Sequence, residues 1–384
     1  MRFLLPKVMV LCLGLLIACS GPAAAPTATP IPISTVEPTA APPPANLVGK
    51  IALPGDEGIH LAPVEWWYFN GHLEDGDGNQ YSYHFVNFVT VTPGGLIPQL
   101  FQLGWADHHR DLHLTDEKPA LANGLEKTSG NFDFRLDGWA MAGNGSGYRL
   151  AFNTGDYALE LEAASQKPAA LHQGTGLVDL GLAGKTYYYS RTRLEVNGTL
   201  VHDGTTKEVS GQAWMDHQWG DFSVVPVGWD WTSIQMDDGA ELMVSLVWDA
   251  TDKRPIINYG TYIPGSAQGG PQTNELASTI HLSADMFQWT PTGSWTSPAT
   301  GVEYPLGWRL NVDSLGLELT LAPRRDNSEF AGSLFVPAAY WEGAVKVTGT
   351  REGEPITGRG FVELVGYDRS VPAGPGLGQS GLGQ

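Results

Sequence analysis

From Tyr81 to Val91 the chain reads Tyr-Ser-Tyr-His-Phe-Val-Asn-Phe-Val-Thr-Val, a run of aromatic and β-branched residues with no helix former. Such side chains lose rotamer freedom in a helix and pack well on a pleated surface, so this run is a strand. Gly147–Phe152, Tyr157–Glu162, Glu241–Trp248 and Gly316–Ala322 have the same character. Turn signals separate them: Asp75-Gly76-Asp77-Gly78-Asn79, Asn144-Gly145, Asp237-Asp238-Gly239 and Glu352-Gly353. Arg191–Val196, then Asn197-Gly198, then Thr199–His202 predicts a hairpin with a type I′ turn. With 48 Gly and 27 Pro among 384 residues, long helices are not expected.

Many short strands at this spacing predict an all-β fold of antiparallel sandwiches or barrels. The length exceeds one eight-stranded barrel, so two β-domains in contact are expected, at 47–250 and 251–370. The boundary is placed where Pro, Gly and Gln accumulate, near Ala250 to Gly270. No propeller-type repeat is visible. A Gly-rich tail, 371–384, is expected to be disordered.

The first residues read as processing signals. Arg2 and Lys7 precede the apolar run Val8–Ala18, which is shorter than the roughly 20 residues a spanning helix needs. Leu16-Ile17-Ala18-Cys19 fits a lipoprotein peptidase site, so 1–18 is read as a signal peptide and Cys19 as the lipidated residue. The segment 19–46 is Pro, Ala and Thr with Glu37 as its single charge, an extended linker. The expectation is an extracytoplasmic protein held by Cys19 at the outer face of the cytoplasmic membrane or at an outer membrane. Cys12 leaves with the signal, so no thiol remains for catalysis or metal binding. The formal charge of -19, with no basic patch apparent along the chain, argues against nucleic acid as a partner.

Five segments taken together resemble one family. They are Glu65–Leu73 (Glu-Trp-Trp-Tyr-Phe-Asn-Gly-His-Leu), Tyr187–Arg193, Gly211–Gly220 (containing Trp214-Met-Asp216-His217-Gln218-Trp219), Gly228–Thr232, and Tyr340-Trp-Glu-Gly343 running to Gly358–Tyr367. This pattern is similar to the AttH-like, lipocalin-type family that includes carotenoid 1,2-hydratase (hydroxyneurosporene synthase) and exported proteins labelled predicted secreted hydrolases. The resemblance implies two lipocalin-like antiparallel β-barrels packed side by side, with a ligand region near their contact.

Hydrating an isolated double bond needs a proton donor, shelter for a carbocation and a water, and no cofactor. A carboxylic acid serves as donor when burial raises its pKa, and aromatic faces shelter the cation. Asp216, His217 and Trp219 offer these groups, with Asp230 as a further acid; Trp214, Trp229, Trp231, Trp248, Glu65 and Trp67 are candidates to line the ligand. On a strand, Asp216 and Gln218 face one way and His217 and Trp219 the other, so all can share a pocket only if the chain bends, for which Gly220 is placed. A structural reading stands beside this: a Trp-flanked Asp-His pair is often a latch, and Glu65, Glu342 and Glu363 can serve backbone donors. His108-His109-Arg110-Asp111-Leu112-His113 with Asp107 invites a metal, but lacks a helical ligand pattern and is expected to be an exposed loop. There is no Gly-x-Ser-x-Gly elbow, phosphate loop or dinucleotide fingerprint. The expected activity is a cofactor-free hydratase or related acid–base catalyst on an isoprenoid or lipid-like hydrophobic small molecule. The alternative is a non-catalytic carrier of such a ligand. The sequence carries no sign of the oligomeric state.

Overall fold

The structure, a computed structural model, describes residues 51–368 apart from 123, 224–226, 266–275 and 334. The signal peptide, Cys19, the linker and the tail 371–384 lie outside the described residues. The first sheet contains β1 (Val64–Asp75), β2 (Gln80–Thr90), β3 (Pro98–Asp107), β4 (Leu112–Leu121), β5 (Phe132–Leu136), β6 (Trp139–Gly143), β7 (Gly147–Thr154), β8 (Tyr157–Ser165), β9 (Ala170–Leu171), β10 (Leu177–Asp179), β11 (Gly184–His202) and β12 (Thr205–Phe222). The second contains β13 (Val227–Met236), β14 (Glu241–Asp249), β15 (Pro255–Ile263), β16 (Ile280–Ser283), β17 (Gln288–Thr296), β18 (Glu303–Val312), β19 (Leu317–Pro323), β20 (Glu329–Phe330), β21 (Tyr340–Arg351) and β22 (Glu354–Val365). The helices among the described residues are single 3-10 turns.

The two sheets follow one plan. The first runs β4-β3-β2-β1-β12-β11-β8-β7-β6-β5 and the second β16-β15-β14-β13-β22-β21-β19-β18-β17, antiparallel along both paths. In each, the opening strand sits between its successor and the last long strand, which curls the sheet around a core. This is the lipocalin-like, all-β architecture that the strand pattern and the motifs imply.

Two expectations need correction. The sheets divide between Phe222 and Val227, not near 250, because β13 pairs with β22 from Trp229↔Val365 to Met236↔Gly358. Strands β13 and β14 therefore open the second sheet, and the Pro/Gly/Gln-rich stretch falls within that sheet's chain. The β11–β12 hairpin turns at Asp203 and Gly204, both at positive φ (50° and 70°), while Asn197 and Gly198 lie in mid-strand opposite Ser210 and Val209. Gly198 serves close approach instead of a turn: a Cβ there would lie 2.1 Å from the Glu160 carbonyl oxygen.

Alternation gives each sheet two faces. The inner face of the first is filled by Trp67, Phe69, Phe85, Trp105, Trp139 and Leu150, all fully buried. Trp308, Leu310, Trp341 and Val345 fill the second. Each such side chain contributes about 2–3 kcal/mol on burial, so the aromatic richness of the sequence goes into two solid cores. The outer faces of the central strands pack on each other through Tyr68, Tyr188, Trp214, Trp231, Tyr259 and Phe361. Buried polar ties fix this contact: Glu241 accepts from Lys167 Nζ at 2.8 Å and Arg193 Nε at 2.6 Å, and Gln235 donates to the carbonyls of Thr192 and Ala213.

Candidate active site between the two sheets

Strand β12 keeps its pleat through the Trp214–Trp219 motif. Trp214 and Asp216 face the second sheet, whereas His217 and Trp219 face the first core. Gly220 continues the pairing with Val64 and Thr186, so no bend reunites them. The expected joint site of Asp216 with His217 is therefore not formed.

On the inner side, Glu65 accepts from the backbone N–H of His60 (3.0 Å) and Leu61 (3.1 Å), and pairs with His60 Nδ1 at 2.8 Å and His217 Nε2 at 3.0 Å. His60 stacks on Trp219 with centroids 4.0 Å apart, and His217 stacks on Trp67 at 4.5 Å. Burial pushes Glu65 up, but its hydrogen bonds to His217 and His60 outweigh that and hold it below the usual carboxylate range. Burial opposes charge on His60, yet its bonds to Asp56 and Glu65 raise it. One ligand atom each from His60, Glu65 and His217 lie within 4.8 Å of one another, a donor set able to hold a divalent cation. Hydrogen bonds already join the three, so a latch that closes the 59–61 segment onto β1 accounts for them.

Asp216 sits between the sheets as an acceptor. Tyr188 Oη donates to it at 2.6 Å and Trp214 Nε1 at 2.6 Å, and Ser190 Oγ donates as well. Trp231 Nε1 donates to Tyr188 Oη at 3.0 Å, and His172 joins Ser190 at 2.7 Å and Thr261 at 3.0 Å. Burial pushes Asp216 up to about 6 against the pull of these donors. Its oxygens are taken up by these three donors, which ties it into the inter-sheet contact. Asp230 lies elsewhere, accepting from Tyr367 Oη at 2.8 Å and Trp289 Nε1 at 3.1 Å, with burial raising it to about 6. Trp229 donates to Glu363 at 2.9 Å, and Trp248 packs edge-on to Tyr367.

The acid with the strongest case is Glu342, which the sequence reading took as structural. It is buried at 3 % exposure and accepts from Tyr68 Oη, whose oxygen is in turn approached by Asn70 Nδ2 at 3.2 Å. Burial and the neighbouring Glu363 push its pKa well above the ordinary carboxylate value, which favours the protonated acid. Its other oxygen is 3.4 Å from His84 Nδ1. Burial lowers His84 to about 3, so the ring is neutral, and its buried Nε2 has no partner among the described residues. Glu342 and His84 line a recess of about 10 Å³, room for one water, together with Ser82, Gly104, Phe361 and Ser328. Gly104 stands opposite His84, and a Cβ there would lie 2.3 Å from the imidazole Cε1.

The His108–His113 segment is only partly the exposed loop expected. Residues 109–111 are exposed, but His108 and His113 line the same recess, beside Arg324 and Arg325. His108 Nε2 is 2.9 Å from Ser82 Oγ. Burial and then Arg324 lower His108 to about 4, and burial and then Arg325 do the same to His113.

Comparison with known proteins agrees with the fold. A sequence profile described as AttH-like matches residues 44–367. An AttH protein of Nitrosomonas europaea is similar at 29% identity, over 84% of this chain and 98% of that one, with a TM-score of 0.73. Kievitone hydratase of Nectria haematococca has a TM-score of 0.66 at 17% identity, over 84% of this chain and 94% of its own. CghA in complex with Sch210972 has a TM-score of 0.51 at 13% identity, over 79% and 88%. At these identities the latter two speak to fold alone. No curated protein sequence matches.

Proposed function

Given that the chain belongs to the AttH-like family, we propose that it is an acid–base catalyst of the hydratase type with Glu342 as proton donor. The observation that carries this reading is a buried carboxyl 3.4 Å from an imidazole whose far nitrogen has no partner among the described residues, both lining a water-sized recess. Glu342 gives its proton to one carbon of a double bond, and the electron pair of that bond forms the new C–H bond. The cation left on the other carbon is met by the recess water. His84 Nε2 takes the proton this water loses, while Nδ1 returns one to Glu342 across 3.4 Å. The sum is alkene plus water to alcohol; the imidazole ends as its Nε2–H tautomer, and proton exchange with water restores the Nδ1–H form before the next turnover.

A hydratase of the same fold supports the compatibility of this scaffold with such chemistry. The aromatic surroundings of the inter-sheet contact, Tyr68, Tyr340 and Phe361 among them, favour a hydrophobic substrate of isoprenoid or lipid-like character. Filled cores leave neither barrel with a chamber among the described residues, so a ligand, whether converted or only carried, would be met at the mouth of the recess between the sheets. The Cys19 anchor belongs to the same proposal, and loss of membrane association on Cys19→Ala tests it.

Incubation of the full chain with acyclic isoprenoids, followed by detection of tertiary alcohols, tests the chemistry. Glu342→Gln is expected to lower turnover by about 10²–10⁴. Undiminished turnover in that variant ends the reading.

A further inference from the structure

The chain is strongly acidic, yet it gathers cations at the mouth of the Glu342 recess. Arg324 follows β19 and donates to Gln80 at 2.8 Å, and Arg325 pairs with Asp111; the uncharged His108 and His113 of the first sheet lie beside them. Arg359 lies on β22 two residues from the recess-lining Phe361, on the same face of the strand. Among the described residues neither Arg324 nor Arg359 has a carboxylate within salt-bridge distance, and Arg359 acts unfavourably on Arg324. Arg324 is exposed and Arg359 partly so, and both present their charge to solvent beside the cleft, where it is open to an incoming anion. The buried, unpartnered Nε2 of His84 lies at the inner end of the same recess.

Resting on the reading of Glu342 as the acid, we infer that the substrate carries an anionic group, a carboxylate or phosphate-type oxyanion, received by Arg324 and Arg359 at the mouth of the recess. Guanidinium groups bind such oxyanions in bidentate fashion, so the pair fixes one end of an otherwise apolar molecule. The double bond is thereby held at a set distance from the anionic end. A neutral hydrocarbon of the same length lacks this anchor and is a poor substrate.

The test is calorimetric binding of decanoate and of decanol to the full chain, with inorganic phosphate as competitor. Decanoate is expected to bind at least about tenfold more tightly than decanol. Rising salt should weaken decanoate alone. The Arg324→Gln, Arg359→Gln variant, checked for an unchanged melting temperature, should lose the preference. Competition by phosphate extends the site to oxyanions generally, and its absence restricts it to carboxylates. Equal binding of acid and alcohol, or full decanoate binding by the double variant, overturns the inference. Glu342→Gln separates the two proposals: it should abolish turnover and leave decanoate bound. Turnover in that variant removes the acid and not the anchor, and decanoate binding without the arginines removes only the anchor.

Discussion

Glu342 and Glu363 stand directly opposite each other on β21 and β22, and both side chains face the first sheet. Two carboxyl groups so placed do not both ionise readily, because each charge disfavours the other. Tyr68 donates to Glu342 and Trp229 to Glu363, while burial and then Trp229 and Asp216 set Glu363 at about 7. Both are thereby pushed above the ordinary carboxylate value, and the pair resists full ionisation near neutral pH.

The first prediction follows from that repulsion. The proposed reaction needs Glu342 protonated, so its rate falls as pH rises through the Glu342 pKa. Glu363→Gln removes the opposing charge and lowers that pKa, which moves the alkaline limb of kcat/KM to lower pH. A pH–rate profile of both proteins checks this, and an unmoved limb removes Glu363 from the account.

Asp216 carries a prediction about stability. Its folded pKa, about 6, is above the ordinary 3.8, so the folded state holds the extra proton between those values. Stability from this group is present below about pH 4 and declines as pH rises through about 6, by about 3 kcal/mol. Asp216→Asn is less stable at low pH because it disturbs three donors, but it lacks this decline. The gap between variant and wild type should therefore narrow from pH 4 to pH 7 in urea denaturation. A gap that widens contradicts the assignment.

Gly104 and His84 give a coupled pair. A Cβ at 104 occupies the place of the imidazole, so Gly104→Ala is expected to cost about 1–3 kcal/mol and to displace the ring from Glu342. In the His84→Ala background the same change should be nearly neutral, since nothing remains to overlap. Denaturation of the two single variants and the double variant measures this coupling.

The strands were legible because period-two alternation is written residue by residue, and so was the division of the Trp214–Trp219 motif between two faces. What was not legible is distance. Tyr68, His84 and Glu342 meet although the first and last are 274 positions apart, and only the packing of two sheets brings them together. The same holds for the basic side chains at the recess: Arg324, Arg359 and the neutral His113 form no run along the chain. Asn197-Gly198 misled for a different reason, since glycine answers equally to a turn and to a neighbouring backbone at close range. The sheet boundary misled because a Pro/Gly-rich stretch can lie within a sheet's chain as well as between sheets.

Glu65 allows the latch and the catalytic roles of the most prominent motif to be told apart. Its carboxylate joins four donors, two of them imidazole nitrogens, and His217 is wholly buried. Glu65→Ala leaves those donors unmatched in a dry core, at a cost of about 3–5 kcal/mol. The groups around Glu342 lie on the opposite face of β1, where Tyr68 and Asn70 point, so their geometry does not depend on Glu65. The variant should therefore denature at lower urea while its turnover per folded molecule, measured at low temperature, stays near that of the wild type. Turnover that collapses while the denaturation midpoint holds would move the active centre to the inner side of β12, with His217 and Trp219.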